Sequence, residues 1–153
     1  MATLADVYEK FGFAAEAAQL LEKELGTQLF VAGAIEAGLF EQRDGVKAKE
    51  ILDFVNKQTL GQLLKSLHRS TDLVAQLEDK LQRARSARNR LFHSFYREHN
   101  LRRNTEDGRA IMLSDLENIH DTLLDAYKAV MRLTGIDLDR VSPDSAPTRH
   151  LPI

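Results

Sequence analysis

"LADVYEKFGFAAEAAQLLEKELGTQLFVA", residues 4–32, decides how the whole chain is to be read. Its apolar residues recur at Leu4, Val7, Tyr8, Phe11, Ala15, Ala18, Leu21, Leu25, Leu29 and Ala32, three or four apart. That is the period of one buried helical face. The spacing predicts a first helix over 4–41, bent at Gly12 or Gly26 and broken by the Arg43-Asp44-Gly45 turn. A second stripe of the same kind reads Val74, Leu77, Leu81, Ala84, position 88, Leu91 and Phe95. It predicts a long helix over 72–98, capped by Ser70 or Thr71.

Between and after these lie shorter segments. A helix is predicted over 47–57, and another follows Thr59 as N-cap. Residues 102–112 read as a loop, with Asp107-Gly108 as turn chemistry. Ser114 and Glu117 have the spacing of a capping box, opening a last helix that Gly135 stops. Nothing alternates with period two. The expected fold is all-α, an antiparallel up-and-down bundle of four to five helices. Residues 1–135 form a single domain, and the proline-bearing residues 136–153 form a loose tail.

The chain has 153 residues, no cysteine and a formal net charge of −2. One domain with a packed core follows from the length and from 43% hydrophobic residues. Without cysteine there is no disulfide framework, thiolate site or cysteine nucleophile. No basic-then-apolar leader opens the chain, and its longest weakly charged run is interrupted by Glu36. A cytoplasmic protein with no membrane partner is expected. The charge is unevenly placed: residues 80–103 hold eight Lys and Arg against Glu98 alone, a local +7 on an acidic body. Such a patch attracts phosphate. It serves equally well as a solvated face paired to the fold's own acids.

Several catalytic and metal patterns fail. Gly33 and Gly38 have phosphate-loop spacing, but Leu39-Phe40 follows where Lys and Ser/Thr are needed. Those glycines suit close helix packing instead. His120, Asp121 and Asp125 make too sparse a set for a metal centre. No metal or cofactor is expected.

The second stripe contains an anomaly. Position 88 belongs to its buried seam and is an arginine. An unpaired buried guanidinium costs several kcal/mol. Arg88 must therefore meet a carboxylate such as Glu22, reach solvent, or line a polar cleft. At about 100° per residue, Phe92, Arg85, Tyr96, Asn89 and His93 follow round one flank from Arg88. Donors, an imidazole and aromatic faces are thus gathered together.

Arg88-Asn89-Arg90-Leu91-Phe92-His93 resembles the Arg-polar-x-x-x-His motif of the HEPN superfamily (higher eukaryotes and prokaryotes nucleotide-binding domains). In those small all-α domains the motif sits late in a long helix before the last one, as here. The resemblance implies a metal-independent RNA endonuclease, a toxin or defence effector, working as a homodimer with two motifs facing each other. It implies catalytic roles for Arg88, Asn89 and His93. His93 is the general acid or base, Arg88 stabilises the phosphorane, and Asn89 orients. Phe92 and Tyr96 would stack bases, while Arg85, Arg90 and Arg97 would contact RNA phosphates. An antitoxin partner protein accompanies many such toxins. Members paired with minimal nucleotidyltransferases commonly carry Tyr two residues after the His; here Phe95 stands there, so the resemblance does not extend to that partner. The alternatives are a non-catalytic HEPN-like module that binds a nucleotide, RNA or a partner protein, and an unrelated helical interaction protein in which Arg88 pairs with a core acid such as Glu22 and His93 is an ordinary surface histidine.

Overall fold

The computed structural model describes residues 1–67 and 77–142. The described residues are helical, with no strand among them. In order they form α1 (Leu4–Glu36), α2 (Gly45–Asn56), α3 (Leu60–Leu67), α4 (Glu78–His93), α5 (Phe95–His99), a 3-10 turn (Asn100–Asn104) and α6 (Glu106–Leu133). The expected start of the long helix at residue 72, its caps Ser70 and Thr71, and Val74 lie outside the described residues. So do residues 143–153 of the expected tail.

α1 is one uninterrupted helix. Thr3 caps it: its hydroxyl accepts from the Asp6 N–H at 3.1 Å, and Asp6 accepts from the Thr3 N–H at 2.7 Å. Neither Gly12 nor Gly26 breaks it. Gly26 is buried, and a Cβ there would stand 3.1 Å from Val55 of α2; Gly33 has the same relation to Ile51. These glycines let α2 lie close and antiparallel on the end of α1. The helix stops at Glu36, short of the expected 41, because Gly38 takes φ +68°. That turn lets the Leu39 N–H reach the Ala34 carbonyl and the Gly38 N–H reach that of Ile35, the hydrogen-bond pair of a Schellman stop. Gly135 (φ +80°) ends α6 the same way, with the Ile136 N–H on Met131 and its own N–H on Arg132.

The core lies between α1, α4 and α6. α1 buries Val7, Ala14, Ala17, Ala18, Leu21 and Leu25; α4 and α5 bury Leu81, Ala84, Leu91 and Phe95; α6 buries Met112, Leu116, Ile119, Leu123, Ala126 and Val130. A fully buried Leu or Val contributes about 1.5–3 kcal/mol, so these three faces are the main source of cohesion. Direction is set by polar pairs across the seams. Arg109 donates to the Ala2 carbonyl at 2.7 Å, and Lys10 lies 3.7 Å from Glu117. α1 and α6 therefore run side by side in the same sense. Lys80 pairs with Asp125 at 2.8 Å and Arg90 with Asp115 at 2.6 Å, so α4 runs antiparallel to α6.

The second half departs from expectation at several points. The helix through residue 98 is not continuous. It breaks at Ser94 (φ −128°, ψ −24°), resumes as α5, and turns at Asn100, whose φ is +24°. Residues 102–112 are not a loop, and Ser114 and Glu117 do not cap a helix. α6 begins nine residues earlier, with Thr105 as N-cap accepting from the Gly108 N–H at 3.1 Å and with Glu106 and Asp107 in its first turn. Gly108 is needed for a different reason than a turn. A Cβ at this position would run directly into the Arg102 carbonyl. Residues 136–142, read as the start of the tail, fold back where Asp139 accepts from Lys128 at 2.6 Å and Arg132 at 2.8 Å.

The break and the turn are held by one carboxylate. Asp115 of α6 accepts both Arg90 nitrogens, at 2.6 and 2.7 Å, and His99 Nε2 at 2.6 Å. Arg90 Nε also donates to Glu98 at 2.6 Å. Arg102 donates to His99 Nδ1 at 3.1 Å. Since a guanidinium only donates, Nδ1 accepts and the ring proton on Nε2 points at Asp115. His99 is 2% exposed and lies against Phe95, ring centres 4.5 Å apart.

Two outcomes follow from this packing. Burial alone would raise the Asp115 carboxyl, but the hydrogen bonds from Arg90 and His99 and the charge of Arg90 outweigh it and hold it below its ordinary value. A depressed carboxyl stabilises the fold at pH values above its unfolded pKa, near 4. That contribution is lost as pH falls below about 4. Urea unfolding at decreasing pH should show the loss, and Asp115→Ala, which costs about 1.5–3 kcal/mol at neutral pH, should flatten the dependence. Gly108→Ala should cost about 1–3 kcal/mol by overpacking, read as a lower urea midpoint, although alanine is the better helix former.

Candidate nucleic-acid interface

α4 carries its apolar stripe as expected, with Leu81, Ala84 and Leu91 buried and Leu77 packed against the core. Arg88 sits in that seam and is paired. Its Nε donates to Glu22 Oε1 of α1 at 2.9 Å, and the two side chains keep only 23% and 28% exposure. The rest of the guanidinium turns outward. Nη1 lies 3.5 Å from Asn89 Oδ1, and the group covers the Phe92 ring at 5.1 Å. Two of the conditions set by the seam are thus met at once: a carboxylate answers the charge, and the outer edge faces the flank.

The pair also fixes a register. α4 runs antiparallel to α1 from Glu22–Arg88, so following α4 to its end leads toward the start of α1. There Phe11 reaches Phe92, Phe95 and Tyr96, with ring centres 6.5, 6.0 and 5.4 Å away. Phe95 is buried. Phe92 and Tyr96 keep 42% and 39% exposure. Burial raises the Tyr96 phenol above its ordinary value; Tyr8 adds to the shift and Arg103 opposes it.

Asn89 and His93 are exposed one turn apart. Among the described residues no side chain hydrogen-bonds to or pairs with His93. Arg97 is exposed and donates to Ser94 Oγ at 3.1 Å. Arg85 is half-buried, its guanidinium against Gly61, where a Cβ would meet Nε at 3.1 Å. Arg90, expected among the phosphate contacts, stands apart from these residues. It lies about 200° round the helix from Arg88 and is occupied by Asp115 and Glu98. The hydrogen bonds to Asp115, its largest influence, raise its pKa further. The structure thus brings together Arg88, Asn89, Phe92 and Tyr96, leaves His93 and Arg97 open beside them, and commits Arg90 to the fold.

Sequence reasoning missed the contribution of α1. Tyr8 and Phe11 were read only as members of the core stripe, yet Tyr8 is 49% exposed and its hydroxyl accepts from Arg103 Nη2 at 3.0 Å. The signal was present: an aromatic pair at i, i+3 shares a helix face, and the Glu22–Arg88 register brings that face toward residues 92–96. Among the described residues no three His, Cys, Asp or Glu side chains converge as metal ligands. Asp125 is taken by Lys80, and His120 lies 3.4 Å from Asp121. Among the same residues no helix is long and apolar enough to cross a membrane. Compared with protein-family models, curated proteins and solved structures, the chain matches none.

The Glu22–Arg88 contact is open to a double-mutant cycle. Arg88→Ala and Glu22→Ala should each destabilise, and urea unfolding of the double variant should return a coupling of about 0.5–3 kcal/mol.

Proposed function

We propose that the chain is a metal-independent endoribonuclease of the HEPN type, acting as a homodimer built partly on the flank of residues 85–96. The observation that carries this reading is the grouping of the Arg88 guanidinium, Asn89 and Phe92 on one exposed flank beside an unengaged His93. RNA brings its own nucleophile. The 2′-hydroxyl attacks the adjacent phosphorus, an imidazole takes its proton, and a second imidazole protonates the departing 5′-oxygen. The products are a 2′,3′-cyclic phosphate and a 5′-hydroxyl. Arg88 stabilises the phosphorane charge through the edge that Glu22 leaves open. Asn89 orients Arg88 or the phosphate. One His93 per chain serves as base or as acid, so the reaction calls for two chains. Arg85 and Arg97 supply phosphate contacts. The HEPN-like arrangement, the toxin or defence role and an antitoxin partner belong to this reading.

A second reading rests on the Arg88–Glu22 pair itself. An arginine tied to a core-edge carboxylate and stacked on Phe92 has a structural task already. On that reading the chain is a non-catalytic module, either HEPN-like and binding a nucleotide, RNA or a partner protein, or a helical interaction protein unrelated to that superfamily.

End-labelled single-stranded RNA, incubated with chelator present, separates the two. Wild type should cleave it. His93→Ala should lose at least about 10²-fold in rate with its helical circular dichroism unchanged. Arg88→Lys keeps charge without the bidentate fork and should restore little. DNA, which lacks the 2′-hydroxyl, should not be cut. No cleavage by wild type, or equal cleavage by His93→Ala, leaves the binding module. Light scattering should give about twice the 17.3 kDa of one chain; a monomer removes both the dimer and the two-histidine mechanism.

A further inference from the structure

The aromatic cluster has an outer row that the cleavage chemistry does not use in full. Phe11 is its centre, and two rings around it keep much of their surface in solvent, Phe92 at 42% and Tyr96 at 39%; Tyr8, three residues before Phe11 on α1, is 49% exposed. The row begins at the motif, where Arg88 covers Phe92. It ends at Tyr8, whose hydroxyl is held by Arg103. Arg97 is exposed immediately after Tyr96. Among the described residues neither Arg97 nor Arg103 has a carboxylate partner, in contrast to Lys80, Arg88 and Arg90.

Exposed rings flanked by uncommitted guanidiniums match one class of ligand well. A base stacks on any aromatic face regardless of its identity, and each neighbouring phosphate takes a guanidinium. In a duplex the base faces are covered. A protein partner docking on rings alone would leave Arg97 and Arg103 without counter-charges unless it were acidic. We infer that Phe92, Tyr96 and Tyr8, with Arg97 and Arg103, form a binding track for single-stranded RNA that leads from the His93 flank across the start of α1. The track extends the proposed ribonuclease site and rests on that reading for RNA as the natural ligand. It assigns binding roles to two residues outside the motif helix, Tyr8 and Arg103.

The test measures binding rather than cleavage. Full-length protein carrying His93→Ala, so that the probe survives, is titrated into a short fluorescein-labelled single-stranded RNA and followed by anisotropy. Adding Tyr8→Ala should weaken binding roughly 5- to 150-fold, the range for losing one stacked base. Tyr8→Phe keeps the ring and should restore most of it. Adding Arg103→Ala should lower the slope of log affinity against log salt by about 0.7, one phosphate contact on a single strand. The same RNA annealed to its complement should bind more weakly than the single strand. Tyr8 is half exposed, and thermal melts followed by circular dichroism confirm that each variant is folded. If Tyr8→Ala binds as the parent does while wild type cleaves RNA, the track falls and the ribonuclease reading stands. If the parent binds no single-stranded RNA, both fall. If Tyr8→Ala leaves RNA affinity intact but halves the mass seen by light scattering, the row is a contact between copies and not an RNA track.

Discussion

A guanidinium placed in an apolar seam cannot be left bare, and in this chain its charge is answered by a carboxylate of the first helix, Glu22. The Arg88–Glu22 pair is more than compensation for burial. It pins α4 against α1 at one register, and every contact nearer the end of α4 inherits that register. Phe92, Phe95 and Tyr96 meet Phe11 because the two helices are locked antiparallel there. The same pair consumes one edge of the arginine and leaves the other to the flank. One side chain therefore serves the core and faces the candidate site, so its removal tests stability and chemistry together. His93 and Tyr8 are the more discriminating positions, since both are largely exposed.

A second constraint organises the other side of α4. Asp115 accepts three hydrogen bonds from Arg90 and His99, and through Arg102 it reaches the turn that follows α5. This node lets the helix break at Ser94 without loosening. α4, α5, the 3-10 turn and α6 converge on one carboxylate. The local charge of +7 is thereby divided by role. Lys80, Arg88 and Arg90 neutralise the fold's own acids, whereas Arg97 and Arg103 have no such partner among the described residues. Three of the eight cations counted in the sequence are thus paired to the fold's own acids.

The helical class and both long seams were legible in the sequence because burial imposes a period of 3.6 on any helix that faces a core. Leu81, Ala84, Leu91 and Phe95 are buried as their spacing required, whereas the cost of a bare charge at Arg88 left a carboxylate, solvent or a polar cleft open, and Glu22 was one candidate among the carboxylates. Where reading failed, local chemistry had two valid outcomes. Asp107-Gly108 makes a turn or fits a crowded first helical turn, and only the nearby Arg102 carbonyl decides. Ser114 and Glu117 have capping spacing, yet Thr105 caps first. The break at Ser94 was invisible, since the apolar stripe continues through it to Phe95. His99 and Asp115 carry no period at all. Their pairing is a tertiary fact, as is the turn of Tyr8 outward to Arg103.

The parallel alignment of α1 and α6 has a consequence for how the chain acquires its structure. Among the described residues the two helices share the most extensive contact, and the bond from Arg109 to the Ala2 carbonyl joins residues 107 apart. For a helical protein that is a distant closure, and distant contacts slow folding because loop entropy is lost before they are made. During synthesis, the apolar face of α1 is made well before α6, the helix with which it has its most extensive contact among the described residues. The early alanine-rich half of α1 limits how much large apolar surface is displayed during that interval, and its later leucines and phenylalanine find α2 as an earlier neighbour.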